Sequence, residues 1–145
     1  MDQDKWGLAL DQGKARLWIK GKPGSGKSTL LRRARDQVEP SLNGRGSPLI
    51  LLFFFHGRGH ELQRTQRGLF RSLLHQVLME VEDALPDLVA ALRQWQDTLG
   101  KDREEKQLKV FLESSLRKVL ETRSVWLFID ALDECSKDDA AELTV

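Results

Sequence analysis

The chain has 145 residues, a formal net charge of +1 and one cysteine, Cys135. This length fits a single domain that buries roughly two thirds of its unfolded surface. The near-neutral balance gives no electrostatic case for nucleic acid or an anionic membrane, and a lone cysteine excludes an intrachain disulfide and favours a reducing, cytoplasmic setting.

Met1 to Lys20 holds no sustained apolar stretch and carries Asp2 and Asp4 at its start, so neither a signal nor a transit peptide is expected. Leu17-Trp18-Ile19 reads as a short buried strand. It leads into Gly21-Lys22-Pro23-Gly24-Ser25-Gly26-Lys27-Ser28, which fits the phosphate-loop pattern G-x-x-x-x-G-K-[ST]. Glycines at 21, 24 and 26 permit backbone angles and close approaches that a Cβ would block. Consecutive N–H groups, Ser25 among them, can then converge on an anion. The helix that follows adds its N-terminal donors and the positive end of its dipole. Lys27 is placed to reach the β- and γ-phosphates and the Ser28 hydroxyl to ligate Mg²⁺. Pro23 stiffens the loop without donating. A nucleoside triphosphate is the expected ligand.

Thr29 to Val38 reads as a helix, ended by Pro40 and the turn residues Asn43-Gly44-Arg45-Gly46. Leu49 to Phe55 is continuously apolar, as is Val125 to Ile129. Both match parallel strands covered on each face, and the first is too short to span a bilayer. Between them, Leu69, Phe70, Leu73, Leu74, Val77 and Leu78 form one apolar helical face. Leu108, Phe111, Leu112, Leu116, Val119 and Leu120 form another. A shorter amphipathic piece (Leu88, Val89, Leu92, Trp95) follows Pro86, and Lys101 to Lys106 is a charged connector or first helical turn. Strands alternating with helices predict an α/β fold, a parallel sheet with covering helices. Trp18 and Trp126 are expected in the core, with Trp6 and Trp95 packing its edges.

The last apolar strand ends in Asp130, followed by Ala131-Leu132-Asp133-Glu134. An acid closing a buried strand needs a cation or hydrogen-bond donors. In a phosphate-loop fold Asp130 holds Mg²⁺ beside Ser28, and Asp133 or Glu134 orients and deprotonates an attacking water. Both motifs then fall at the carboxyl ends of parallel strands, where open α/β sheets bind ligands. His56 and His60 are four apart, but Gly57 and Gly59 argue against the helix that a metal pair needs. Ser136-Lys137-Asp138-Asp139 is a near miss to a guanine-reading pattern and reads better as a helix cap. Cys135 reads as a packed thiol with no base placed for it.

Leu17 to Leu30, Phe53-Phe54-Phe55-His56-Gly57-Arg58-Gly59 and Phe128 to Cys135 together resemble the NACHT-type STAND ATPases, in particular the fungal, nephrocystin-3-like N-terminal group. Arg67 to Leu78 also resembles that group's helix after the second strand. The resemblance covers nearly the whole chain, residues 1–145, as part of a NACHT phosphate-loop domain. It implies Mg-ATP, favoured over GTP, as ligand, slow hydrolysis in a complete domain, and a signalling switch attached to effector and repeat regions. It also implies nucleotide-dependent oligomerisation. By position, Lys27, Ser28 and Thr29 serve the phosphates and metal, Asp130 is the metal-side acid, and Glu134, with Asp133 next, is the catalytic base. Arg58 matches a recurring arginine whose role stays open. In the family a further strand carries a γ-phosphate sensor; here Val145 comes before it, so a fragment or truncated gene product is expected. A small-molecule phosphate-loop kinase and a non-catalytic interaction fragment are the competing expectations.

Overall fold

The computed structural model describes residues 6–11, 14–19, 21–38, 47–81, 86, 89–90, 93 and 101–135. The chain divides into two compact units, Met1–Gln37 and Val38–Val145.

In the first unit, β1 (Trp6–Asp11) pairs antiparallel with β2 (Lys14–Ile19), from Trp6 opposite Ile19 to Asp11 opposite Lys14. The Leu17–Ile19 run was expected in the parallel sheet; its hydrogen-bonded neighbour is instead the strand just before it in sequence. Only Gln12 and Gly13 separate the two strands, and so short a glycine-containing connector favours a hairpin, whose local pairing carries little loop-closure cost. β1 itself was not foreseen. Helix α1 (Lys27–Asp36) starts at Gly26 and ends at Gln37, whose N–H reaches the carbonyls of Arg33 and Ala34.

The second unit is built on a parallel ladder between β3 (Leu49–Phe54) and β4 (Val125–Asp130). Leu49 lies opposite Val125 and Phe54 opposite Asp130. The chain between them forms a short helix α2 (Glu61–Arg64), α3 (Gln66–Glu80) and the long α4 (Lys101–Thr122). Parallel strands need such a crossover, because a tight turn cannot reverse the chain twice. The residues at 101–106 are therefore the opening turns of α4.

Leu69, Phe70, Leu73, Leu74 and Val77 of α3 are buried together with Leu108, Leu112 and Val119 of α4 and with Leu49, Leu51 and Phe55. This is the core that the two helical stripes anticipate. Each such side chain contributes about 1.5–3 kcal/mol of burial. Phe53 meets Phe55 edge to face at 4.8 Å between ring centroids. Thr65 caps α3 by accepting from the Gly68 N–H at 3.3 Å. At the rim, Glu104 of α4 receives Arg67 at 3.1 Å and Arg71 at 2.9 Å. Arg123, just past α4, donates to the Ser47 carbonyl at 2.7 Å and pairs with Glu80 at 3.1 Å. It thereby closes the amino end of the ladder.

The opposite sheet face differs from expectation. Ile50, Leu52 and Phe54 share it with Trp126 and Phe128, and Trp126 is 50% exposed although it was expected in the core. It stacks on Phe128 at 6.4 Å. α3 and α4 cover only the face that carries Leu49 and Leu51. Of the amphipathic piece, Leu88, Leu92 and Trp95 lie outside the described residues, as do Pro40, Asn43 to Gly46 and Ser136 to Asp139, while Val89 is helical and 39% exposed. The side chains of Trp6 and Trp18 are likewise not described. Among the described residues, no helix is long and apolar enough to cross a membrane.

Gly68 sits where α2 turns into α3, and a Cβ there would overlap the backbone carbonyl of Leu62. Alanine in a helix is ordinarily favoured over glycine by close to 1 kcal/mol. Here overpacking against backbone reverses the sign, so Gly68→Ala should lower the urea midpoint, with a loss of about 1–3 kcal/mol. An unchanged or raised midpoint would show that α2 yields freely.

Candidate functional site

The glycine-rich loop adopts the conformation its residue types require. Gly24 and Gly26 have φ of 77° and 85°, left-handed values at which a side chain is strained. The Ser25 N–H donates to the Lys22 carbonyl at 3.1 Å, closing the turn. A Cβ on Gly21 would come within 2.6 Å of the Ser25 hydroxyl, a contact the exposed serine side chain can relieve by rotating. Pro23 lies within this turn, where it needs no donor.

The loop feeds directly into α1, which has no side-chain cap and no acidic residue in its first turn. Its opening N–H groups have no intrahelical acceptors. The Lys27 ammonium folds back onto the Gly21 and Lys22 carbonyls at 2.7 and 3.1 Å. An ammonium has three donors, so two loop carbonyls leave one for a ligand. Ser28 is half-buried and Thr29 exposed in the same first turn. A turn closed by left-handed glycines, a helix start and one cation come together here, with no acid in the first helical turn. That chemistry fits a phosphate chain.

The second constellation lies at the carboxyl ends of β3 and β4. Phe55 N–H donates to the Asp130 carbonyl at 3.0 Å, so the chain leaving β3 stays beside the end of β4. Asp130 is half-buried and uses one carboxylate oxygen to accept its neighbour's N–H, that of Ala131, at 2.8 Å. Ala131 then takes a left-handed φ of 55°. That angle turns the chain into a single 3-10 turn, Leu132–Glu134, with Glu134 N–H returning to the Ala131 carbonyl at 2.8 Å. The result swings Glu134 back over the β3 exit. Its Oε2 accepts the Gly57 N–H at 2.8 Å and lies 3.7 Å from His56 Nδ1. Asp133, in the same turn, is exposed, and Cys135 is a buried thiol in the core.

Asp130, Asp133 and Glu134 thus share one turn, while Lys27, Ser28 and Thr29 share another in the first unit. Taken separately, the Ser28 hydroxyl in the first unit and the Asp130 carboxylate in the second are each a hard oxygen donor of the kind magnesium prefers. Among the described residues, no group of three or more His, Cys, Asp or Glu side chains could hold a metal ion. His56 faces Glu134 in place of pairing with His60 in a metal site. The contact of the 56–57 turn with Glu134 was not legible from sequence. Its signal was available in outline, because adjacent parallel strands put their exit loops side by side. Arg58 is exposed on that same turn.

The chain belongs to the nephrocystin 3 N-terminal family, whose model matches residues 2–144. Over 126 residues it is 30% identical to the vegetative incompatibility protein HET-E-1 of Podospora anserina, a NACHT-containing fungal protein. The match covers 84% of this chain and 9% of that relative's length. The likeness to the nephrocystin-3-like group of fungal NACHT proteins, read above from three motifs, is thereby borne out. No solved structure matches the chain.

The left-handed backbone at Ala131 gives a direct check of this turn. A β-branched residue is a steric outlier at positive φ, so Ala131→Val should cost about 1–2 kcal/mol in urea unfolding. Ala131→Gly should cost nothing or stabilise. Equal midpoints for valine and glycine would contradict the turn geometry.

Proposed function

We propose that this chain is the nucleotide-binding part of a NACHT signalling switch of the STAND class, with Mg-ATP as ligand. One observation carries the reading: the 21–28 loop brings together its two left-handed glycines, an uncapped helix start and the Lys27 ammonium. Gly21, Gly24, Ser25 and Gly26 line the phosphate chain with backbone. Lys27 neutralises its β- and γ-oxygens, and Thr29 assists. ATP is favoured over GTP by family membership.

Ser28 and Asp130 are the groups that would hold Mg²⁺. The ion supplies charge neutralisation on the phosphates when bound. Glu134 accepts the proton of a water molecule; Asp133 is the alternative acceptor. A carboxylate can do this only while ionised and within reach of the water. Hydrolysis is slow, since a switch must persist in its triphosphate state, and it requires a complete domain. The relative's name ties that protein to vegetative incompatibility. We extend the theme to this chain as a role in self/non-self signalling in the cytoplasm. Effector and repeat regions are its expected partners, with assembly following nucleotide state.

Isothermal titration with Mg-ATP should give a saturable heat that Lys27→Ala weakens by about 10–100-fold, the worth of losing a charge-assisted hydrogen bond. Equal heats for both proteins would sink the assignment of the loop. Phosphate release with no acceptor present marks hydrolysis, whereas turnover that needs an added metabolite would point to a kinase.

A further inference from the structure

The family reading gives the His56-Gly57-Arg58-Gly59 turn no role, yet among the described residues it is what the Glu134 carboxylate meets, through the Gly57 N–H and the His56 ring. We propose that this turn is the positioning element for Glu134, fixing where the carboxylate sits and leaving Oε1 to take a proton. The inference rests on the reading of Glu134 as the proton acceptor, and it assigns the residues that regulate it.

The turn is built without help from Glu134. His56 N–H donates to the Gln63 carbonyl at 2.8 Å, and Gly59 N–H returns to the His56 carbonyl at 2.8 Å. His60 N–H donates to the Gln63 side-chain oxygen at 2.9 Å. The turn is thus pinned at both ends to α2, and α2 is pinned to α3 through the close approach of Gly68 to Leu62. Gly57 is the exception: its N–H points out of the turn and ends on Glu134.

Glu134 arrives from the opposite direction, on a turn whose left-handed Ala131 fixes its course. The carboxylate therefore meets a prepositioned donor. A glutamate side chain at the surface otherwise samples many rotamers, and holding it in one removes an entropic cost from any step that uses it. Among the described residues, Oε2 carries the hydrogen bond. A carboxylate has about four acceptor positions, so Oε1 keeps its capacity. A Cβ on Gly57 would stand 3.4 Å from the Glu134 carbonyl oxygen and 3.5 Å from its Cβ, ordinary van der Waals contact, so the Gly57 N–H and not the missing side chain is what the contact uses. His56 Nδ1, 3.7 Å from Oε2, adds an ion pair whenever the ring is protonated.

Amide hydrogen exchange on the whole chain tests the contact without needing catalysis. Glu134→Ala should lower protection at the Gly57 N–H by about tenfold, the loss of one hydrogen bond to a charged acceptor. The Gly59 N–H should keep its own protection. Unchanged protection at Gly57 overturns the contact. Loss at both amides also overturns the proposal, because Glu134 would then be holding the turn. In a longer chain that carries the complete domain, phosphate-release kinetics test the consequence. His56→Ala should lower kcat about two- to fivefold with KM for Mg-ATP unchanged. Gly57→Pro, which removes the donor, should lower it by about tenfold or more. A raised kcat would mean that the turn parks the carboxylate, and a raised KM with intact kcat would mean that it touches nucleotide; either rejects positioning. Absence of Mg-ATP binding by the unmodified chain would fail the nucleotide reading alone, and the exchange result would still decide the contact.

Discussion

The second unit depends on the parallel ladder between β3 and β4. Its register, Leu49 opposite Val125 through Phe54 opposite Asp130, puts one set of apolar side chains under α3 and α4. The same register brings both strand exits to one end. A slip of one residue would carry Leu49 and Leu51 to the other face and empty the core. It would also separate the Gly57 N–H from Glu134. Packing and chemistry are therefore fixed by one alignment, and Arg123 pins its far end to Ser47 and Glu80.

The phosphate loop depends on something more local. Its shape follows from two left-handed glycines, Gly24 and Gly26, within one short loop. No distant contact is needed to explain the fold of Lys27 back onto the Gly21 carbonyl. This is why the motif was readable directly from sequence: the spacing of residue types encodes the backbone. The helical stripes were readable for a related reason, since Leu69 to Val77 and Leu108 to Val119 follow the helix period and are buried on it.

Elsewhere local pattern and tertiary context diverged. Trp126 looked like core because its strand is apolar throughout, yet burial depends on which elements cover each face. Leu17 to Ile19 looked like a member of the parallel sheet, whereas a two-residue connector gives it an antiparallel neighbour within reach. The Gly57 to Glu134 contact joins residues 77 apart in sequence. No periodicity or motif spacing encodes such a distance; the register of two strands does.

Gln76 of α3 gives the sheet a direction. Leu49 and Phe55 direct their N–H groups to the β4 side, so Leu52 between them faces the outer edge of β3. There the Gln76 amide accepts from the Leu52 N–H at 2.9 Å and donates to its carbonyl at 2.8 Å. One side chain thus does the work of one residue of a neighbouring strand. An edge stoppered in this way resists pairing with another chain. Among the described residues, β4 has no partner except β3. Among the described residues the β4 flank carries no such stopper, so the helix acts as a bookend on the β3 side alone.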